Sequence, residues 1–168
     1  MTKNENIFTL NKNIWTQDDY ELMGWHDCRI YGLIFSQVNA NGTVHLVFDI
    51  DYIFQWVNPI FPNNAFSFWV APCSLAFKEV FDLVISISTT DRSTDILEIA
   101  DIHLVSKSEL SENKWIYEWE IELQEGEIKF KSLGFEQIVR QKPLFKSSQI
   151  LNFDERNGIS FSLTPCTL

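Results

Sequence analysis

Thr43-Val44-His45-Leu46-Val47-Phe48-Asp49-Ile50-Asp51-Tyr52-Ile53-Phe54-Gln55-Trp56-Val57 decides the fold. Every even position from Val44 to Trp56 is apolar, a period of two that makes the stretch a β-strand. Fifteen extended residues would span about 50 Å, well beyond the usual 17–20 Å. Such a strand must bend, bulge or curl, which predicts a curved sheet. On its odd face, Asp49 and Asp51 stand among Val47 and Ile53. Carboxylates on an apolar-rich face are costly unless paired or hydrogen-bonded.

Upstream, Asn41-Gly42 is a strong hairpin signal. Used as a two-residue loop, it joins a strand from about Cys28 to Val38 and sets Leu33 opposite Ile50, Phe35 opposite Phe48 and Tyr31 opposite Tyr52. The same register places Gly32 opposite Asp51 and Ile34 opposite Asp49, so Gly32 leaves room above Asp51 for a backbone, water or ligand. Before it, Thr16 is a plausible N-cap followed by Gln17-Asp18-Asp19, Trp15 and Tyr20 suit a hydrophobic staple, and Gly24 suits a helix stop. One short N-terminal helix of about two turns is expected, after a ragged lead-in over residues 1–14.

Downstream, Asn58–Asn64 is a loop, and strands are expected at Ala65–Val70, Ser74–Phe77, Leu83–Ser88 and Leu97–Val105, with a polar turn at Thr89–Asp95. Residues 74–85 also fit a short helix on apolar spacing. Trp115, Tyr117, Trp119, Ile121 and Leu123 form one face of another strand, and Glu118, Glu120 and Glu122 lie on the other. A Glu125-Gly126 loop pairs Glu122 with Lys129, Glu120 with Lys131, Ile121 with Phe130 and Leu123 with Ile128. The three glutamates read as a solvated, charge-paired face. After Pro143 the period is lost, except for a polar turn at Asp154–Gly158 and an apolar tail strand, Ile159–Leu163.

The chain has 168 residues, 45% hydrophobic and 14% aromatic, enough for one domain with a substantial core and too apolar to be disordered. Residues 1–168 are read as that single domain. Its aromatics, 14 Phe, 6 Trp and 4 Tyr, favour pleated faces. The formal charge is −10, and the 128–150 segment carries +4, leaving −14 elsewhere. An acidic balance argues against nucleic acid and is compatible with a basic protein partner. No apolar run reaches the roughly 20 residues of a membrane helix, and the polar start leads into no signal-peptide core, so a cytoplasmic location is the expectation. Cys28, Cys73 and Cys166 match neither a disulfide framework nor a zinc pattern and read as inert thiols. No cofactor is implied.

His26, Asp27, Asp49 and Asp51 are the candidate binding residues, since His and carboxylates together hold metals or supply acid–base pairs. In the expected register, however, Asp51 lies about 20 Å along the strand from His26. Structural hydrogen bonding is therefore the stronger reading, with His26-Asp27, beside a chain turn, capping the helix end or tying it to the sheet. His45 and His103 have no evident partner, and Arg140-Gln141-Lys142 with Lys146 reads as a loop surface. The phosphate-cradling glycine loop, His-Glu-x-x-His and Gly-x-Ser-x-Gly are all missing.

Trp25-His26-Asp27, Asp49-Ile50-Asp51-Tyr52-Ile53, Phe68-Trp69-Val70-Ala71-Pro72 and Asn157-Gly158-Ile159-Ser160-Phe161 together resemble a group of small uncharacterised bacterial proteins. The likeness covers roughly Tyr20 to Phe161 and brings no established activity. The His-Asp opening followed by β-hairpins also resembles some immunity proteins of bacterial toxin systems, which implies a cytosolic binder that neutralises a partner.

The expected fold is mainly β, a curved antiparallel sheet (half-barrel, barrel or two-layer) with one short N-terminal helix. The expected function is a non-enzymatic binding module, immunity-like, for a basic protein. The alternatives are a metal-dependent enzyme, or a small-ligand-binding barrel using Asp49 and Asp51.

Overall fold

A computed structural model describes residues 7–37, 40–89 and 97–168. The strands are β1 (Ile14–Thr16), β2 (Cys28–Gln37), β3 (Val44–Val57), β4 (Ser67–Phe77), β5 (Phe81–Ile87), β6 (Glu98–Ser111), β7 (Lys114–Leu123), β8 (Gly126–Ser132), β9 (Phe135–Val139) and β10 (Leu144–Lys146). They form one antiparallel sheet in the order β1-β9-β4-β3-β2-β6-β7-β8-β5, with β10 beside β4. β1 and β5 end the sheet, so the closed barrel among the expected forms is not what this chain builds.

The sheet nevertheless faces itself. Phe77 on β4 lies 5.6 Å from the ring of Trp119 on β7 and 4.7 Å from Phe130 on β8. Four or five strands at about 4.8 Å spacing separate these residues along the sheet, so ring contact requires it to curl. The curl is made at a corner. Past Phe77↔Phe135, the β4–β9 pairing continues through Lys78 N–H to Gly134 C=O and Leu133 N–H to Lys78 C=O, then into β5–β8 at Phe81↔Lys131. Thus β4 passes into β5 and β8 into β9 through one paired bend. Glu79 and Asp82 (both φ 52°) and Gly134 (φ 119°) supply the left-handed backbone there.

One core fills the space between the two halves. It is lined by Leu46, Phe48, Ile50 and Tyr52 from the even face of β3, and by Trp119, Ile121 and Leu123 from β7. The period-two reading of both faces holds. Trp25 is also buried, its indole N–H donating to Gln137 Oε1 at 2.8 Å. Burying each of these large side chains contributes about 1.5–3 kcal/mol.

Several local expectations need correction. The N-terminal helix is a six-residue 3-10 helix, Gln17–Leu22, rather than an α-helix. Thr16 does cap it, with Asp19 returning a bond to the Thr16 N–H, but Met23, in extended conformation, ends it instead of Gly24. Tertiary bonds set its shape: Gln17 accepts from Phe135 N–H at the corner, and the Tyr20 hydroxyl donates to Ile102 C=O and accepts from Leu104 N–H. Residues 67–77 are one strand, not two. Pro72 sits where the neighbour of β4 changes from β10 to β9, so its missing N–H breaks no ladder. Residues 74–85 hold no helix, and Ile159–Leu163 is not a strand. Val38 and most of the Thr89–Asp95 turn lie outside the described residues.

Next to their turns, both hairpins are displaced by two residues from the expected register, and beyond a bulge the first is displaced by three. β2 pairs with β3 as Leu33↔Phe48, Phe35↔Leu46 and Gly32↔Asp49, and a bulge at Tyr31 leads to Ile30↔Ile50 and Arg29↔Asp51. β7 pairs with β8 as Glu120↔Lys129, Glu118↔Lys131 and Leu123↔Gly126, so Gln124-Glu125 is the loop and Gly126 opens the strand. Gly126 has φ 151°, and a Cβ there would lie 2.2 Å from the Ser86 carbonyl oxygen of β5. Its glycine is needed for the approach of β5, not for the turn. Gly126→Ala should therefore lower stability in urea unfolding by about 1–3 kcal/mol. Gly24→Ala, with open space around it and no left-handed backbone, should leave stability nearly unaltered.

Candidate functional site

β3 is buried on both faces from Leu46 to Ile53. Its even face meets the core, and its odd face is covered by the irregular C-terminal segment 147–168. Asp49 and Asp51 are at the centre of that cover, each at 0% exposure.

Arg156 joins them. It is 1% exposed and uses four of its five N–H groups on oxygens nearby. Nη1 and Nη2 grip the two Asp49 oxygens at 3.0 and 2.7 Å, Nε donates to Asp51 Oδ1 at 3.1 Å, and Nη1 also donates to Gly158 C=O. Its guanidinium stacks on the Tyr31 ring at 3.6 Å. The bulge in β2 makes that contact, because it turns both Tyr31 and Gly32 toward the aspartate face. Burial alone would depress the Arg156 pKa, but its hydrogen bonds to Asp49 and Asp51 and their negative charges outweigh it and raise the pKa, so the cation is fixed.

Every remaining carboxylate oxygen is engaged. Asp49 also accepts from Arg140 Nη2 and from Ser160 N–H at 3.0 Å. Asp51 Oδ2 accepts from Tyr31 O–H at 2.9 Å and Leu151 N–H at 2.8 Å. Burial first, then the Asp51 carboxylate, push the Tyr31 phenol upward, which keeps it a proton donor. Two aspartates and two arginines thus form a charge-balanced quartet. Arg140 belongs to it and not to a loop surface: its side chain is 7% exposed and also bonds Ser74 Oγ and Ser160 C=O.

Gly32 serves the same cover, although it lies opposite Asp49 rather than Asp51. The space above it is taken by Phe161, whose ring would sit 3.2 Å from an added Cβ. Further along, Ser74 Oγ donates to Ser162 C=O, and Cys166 N–H donates to Val139 C=O.

The other two candidates lie outside the quartet. Asp27 occupies a left-handed turn (φ 61°), its N–H bonded to Ile99 C=O and its carboxylate accepting from Gln149. His26 bonds Ala100 C=O through Nδ1, approaches Asp27 at 3.4 Å and stacks on Trp56. These bonds tie the turn after Gly24, rather than the helix end itself, to β6. So the four candidates divide into a buried pair held by arginines and a surface pair beside Trp56. Among the described residues, no group of three or more His, Cys, Asp or Glu is arranged to hold a metal ion.

Two histidines gain partners that the sequence did not indicate. His45 Nδ1 accepts from Glu79 N–H at the corner, and His103 Nε2 lies 3.0 Å from Glu122. Lys129 pairs with Glu120 and Glu127, and Lys131 pairs with Asp82. Burial pushes the Cys28 thiol up to about 12 and Cys73 well above its ordinary value, as expected of inert thiols. A cleft of about 440 Å³ is lined by Gln17, Asp18, Glu79, Lys114, Trp115 and Tyr117, and neither aspartate of the pair lines it.

No helix among the described residues is long and apolar enough to cross a membrane. No family model, no curated protein and no solved structure matches this chain.

Removing the cation should be costly. Arg156→Met leaves two buried carboxylates short of their counter-charge and should lower stability by about 3–5 kcal/mol. Asp51→Asn should lower it by about 1–3 kcal/mol. Urea unfolding reads both, and losses below 1 kcal/mol would mean that the quartet does not hold the segment down. His103 gives a milder test. Its hydrogen bond to Glu122 raises its pKa above 6.5, so its small contribution to stability is complete below that value and fades as pH rises through the raised one. An NMR titration of its ring should report the higher midpoint, and Glu122→Gln should return it toward 6.5.

Proposed function

We propose that this protein is a non-enzymatic binding module on a half-barrel-like sheet, an immunity-like binder of a basic protein. The observation that carries this reading is an exposed apolar knuckle on the β3–β4 loop. Phe61 is 92% and Ile60 79% exposed, and residues 58–66 contain no charge. At its base the half-exposed Trp56 packs edge-on against Phe66 and Phe68, with His26 stacked on it. Exposed apolar side chains gathered on one uncharged loop mark interaction surfaces, and Trp is enriched in binding hot spots. In this reading His26 serves the binding surface through its stacking on Trp56.

The net charge of −10 supplies attraction to a basic partner over distances of about 8–10 Å at ordinary salt. The likeness of the His26-Asp27 opening to toxin-system immunity proteins points the same way. An aspartate-based catalytic site gains little support, because both carboxylates are spent on arginines and backbone amides. The small-ligand reading moves to the cleft beside Trp115 and Tyr117, whose volume lies within the range of ligand pockets.

The decisive experiment is capture from native cell lysate. The wild-type protein should recover one basic protein, and Ile60→Ser with Phe61→Ser should lose it by about tenfold or more without altering melting, since both side chains are solvated. Recovery of no specific partner, or equal recovery by the variant, overturns the reading.

A further inference from the structure

The last strand of the sheet, β5, has one paired edge and one open edge. Val84, Ile85, Ser86 and Ile87 pair with Lys129, Ile128, Glu127 and Gly126 of β8, and no described strand pairs with the other side. Ser88 N–H donates to Glu125 C=O, and the Ser86 carbonyl points at Gly126. By antiparallel alternation, the N–H and C=O groups of Ile85 and Ile87 therefore face outward, with no described strand beside them.

The two faces of this edge differ. Leu83 packs on the core, and Ile85 and Ile87 continue its face toward the edge, where they are 43% and 40% exposed. The core layer is thus left without its last apolar row. On the opposite face Ser86 adjoins Glu127, which adjoins Glu122, and Glu120 and Glu125 border the same shallow groove. Lys129, beside Glu120 and Glu127, is the cation nearest these carboxylates in the ladder. Natural edges are commonly blunted by lysine, proline or a bulge. Here the bulge and the left-handed Asp82 protect only the start of β5, and Val84–Ile87 carries none of these devices.

We infer that the open edge of β5 takes an extended segment of the partner protein as an added strand, one that alternates Lys or Arg with aliphatic residues. This rests on the binding-module reading and names the partner's chemistry. The aliphatic side chains extend the row of Ile85 and Ile87. The basic ones lie on the Ser86 side, within reach of Glu127. Backbone bonds to Ile85 and Ile87 supply attachment, and the alternation supplies specificity. A second copy of this chain fits less well, since β5 holds no basic residue and each copy carries the same carboxylates.

The test adds an acetylated, amidated (Lys-Val)4 peptide to the isotope-labelled protein and follows amide hydrogen exchange by NMR. The Ile85 and Ile87 amides should become about tenfold or more protected, and raising the salt should weaken the effect. A (Glu-Val)4 peptide should protect neither. Ile85→Pro, which removes only an outward N–H, should abolish protection. If that variant fails to fold, Ile85→Lys with Ile87→Lys keeps the backbone and should abolish it too. Equal protection by the acidic peptide, no protection, or protein dimerisation through β5 overturns the inference. Protection confined to Trp56 and Phe61, or lysate capture lost in Phe61→Ser but kept in Ile85→Pro, also overturns it while leaving the binding-module reading in place.

Discussion

A carboxylate removed from water must find a counter-charge, and two such groups sit at the middle of the long inner strand β3. Asp49 and Asp51 have zero exposure, and Arg140 and Arg156 neutralise them charge for charge. Burying four charges costs nearly what their pairing returns, so the quartet contributes little net energy compared with apolar packing. Its consequence is selection. Any other placement of the C-terminal segment leaves carboxylates desolvated without partners, and only one path over the outer face brings Arg156, Ser160 and Leu151 to them together. An irregular segment of some twenty residues thereby acquires a fixed course without forming a strand or helix of its own.

The inner face follows a different logic. There the constraint is shape: ten strands must curl until Phe77 meets Trp119 and Phe130. The chain turns this corner with two paired strands bending in concert, and Gln17 reaches in to satisfy the Phe135 amide where the ladder is most distorted. The short 3-10 helix is thus a plug for the corner. Its side chains, more than its own backbone bonds, explain why it lies there.

Period two made the faces of β3 and β7 legible from the residues alone, and the length of the Thr43–Val57 run announced the curl. Register was not legible, for a definite reason. A slip of two residues keeps every side chain on its face, so apolar alternation cannot detect it. The Glu–Lys matches of the β7–β8 hairpin survive the same slip, since Glu118, Glu120 and Glu122 repeat at the interval of Lys129 and Lys131. Glycine misled in the β7–β8 turn, because Gly126 is required by the neighbouring strand. Arg156 was hidden more deeply, inside the polar run Asp154–Gly158 that has every mark of a solvated turn. The available signal was on the other side: two aspartates on an apolar-rich face call for two cations, and the chain from residue 140 onward holds the arginines Arg140 and Arg156.

The distance along the chain between these partners has a kinetic meaning. Asp49 is made 107 residues before the arginine that grips it, and 111 before the Ser160 amide. Until the final segment arrives, the odd face of β3 can be neither dry nor paired, so the inner layer must form while its outer surface remains hydrated. Closing so long a loop is entropically slow, and contacts of such high order place this chain among the slower folders of its size. Docking of segment 147–168 thus closes loops of 107 and 111 residues and takes the odd face of β3 out of water.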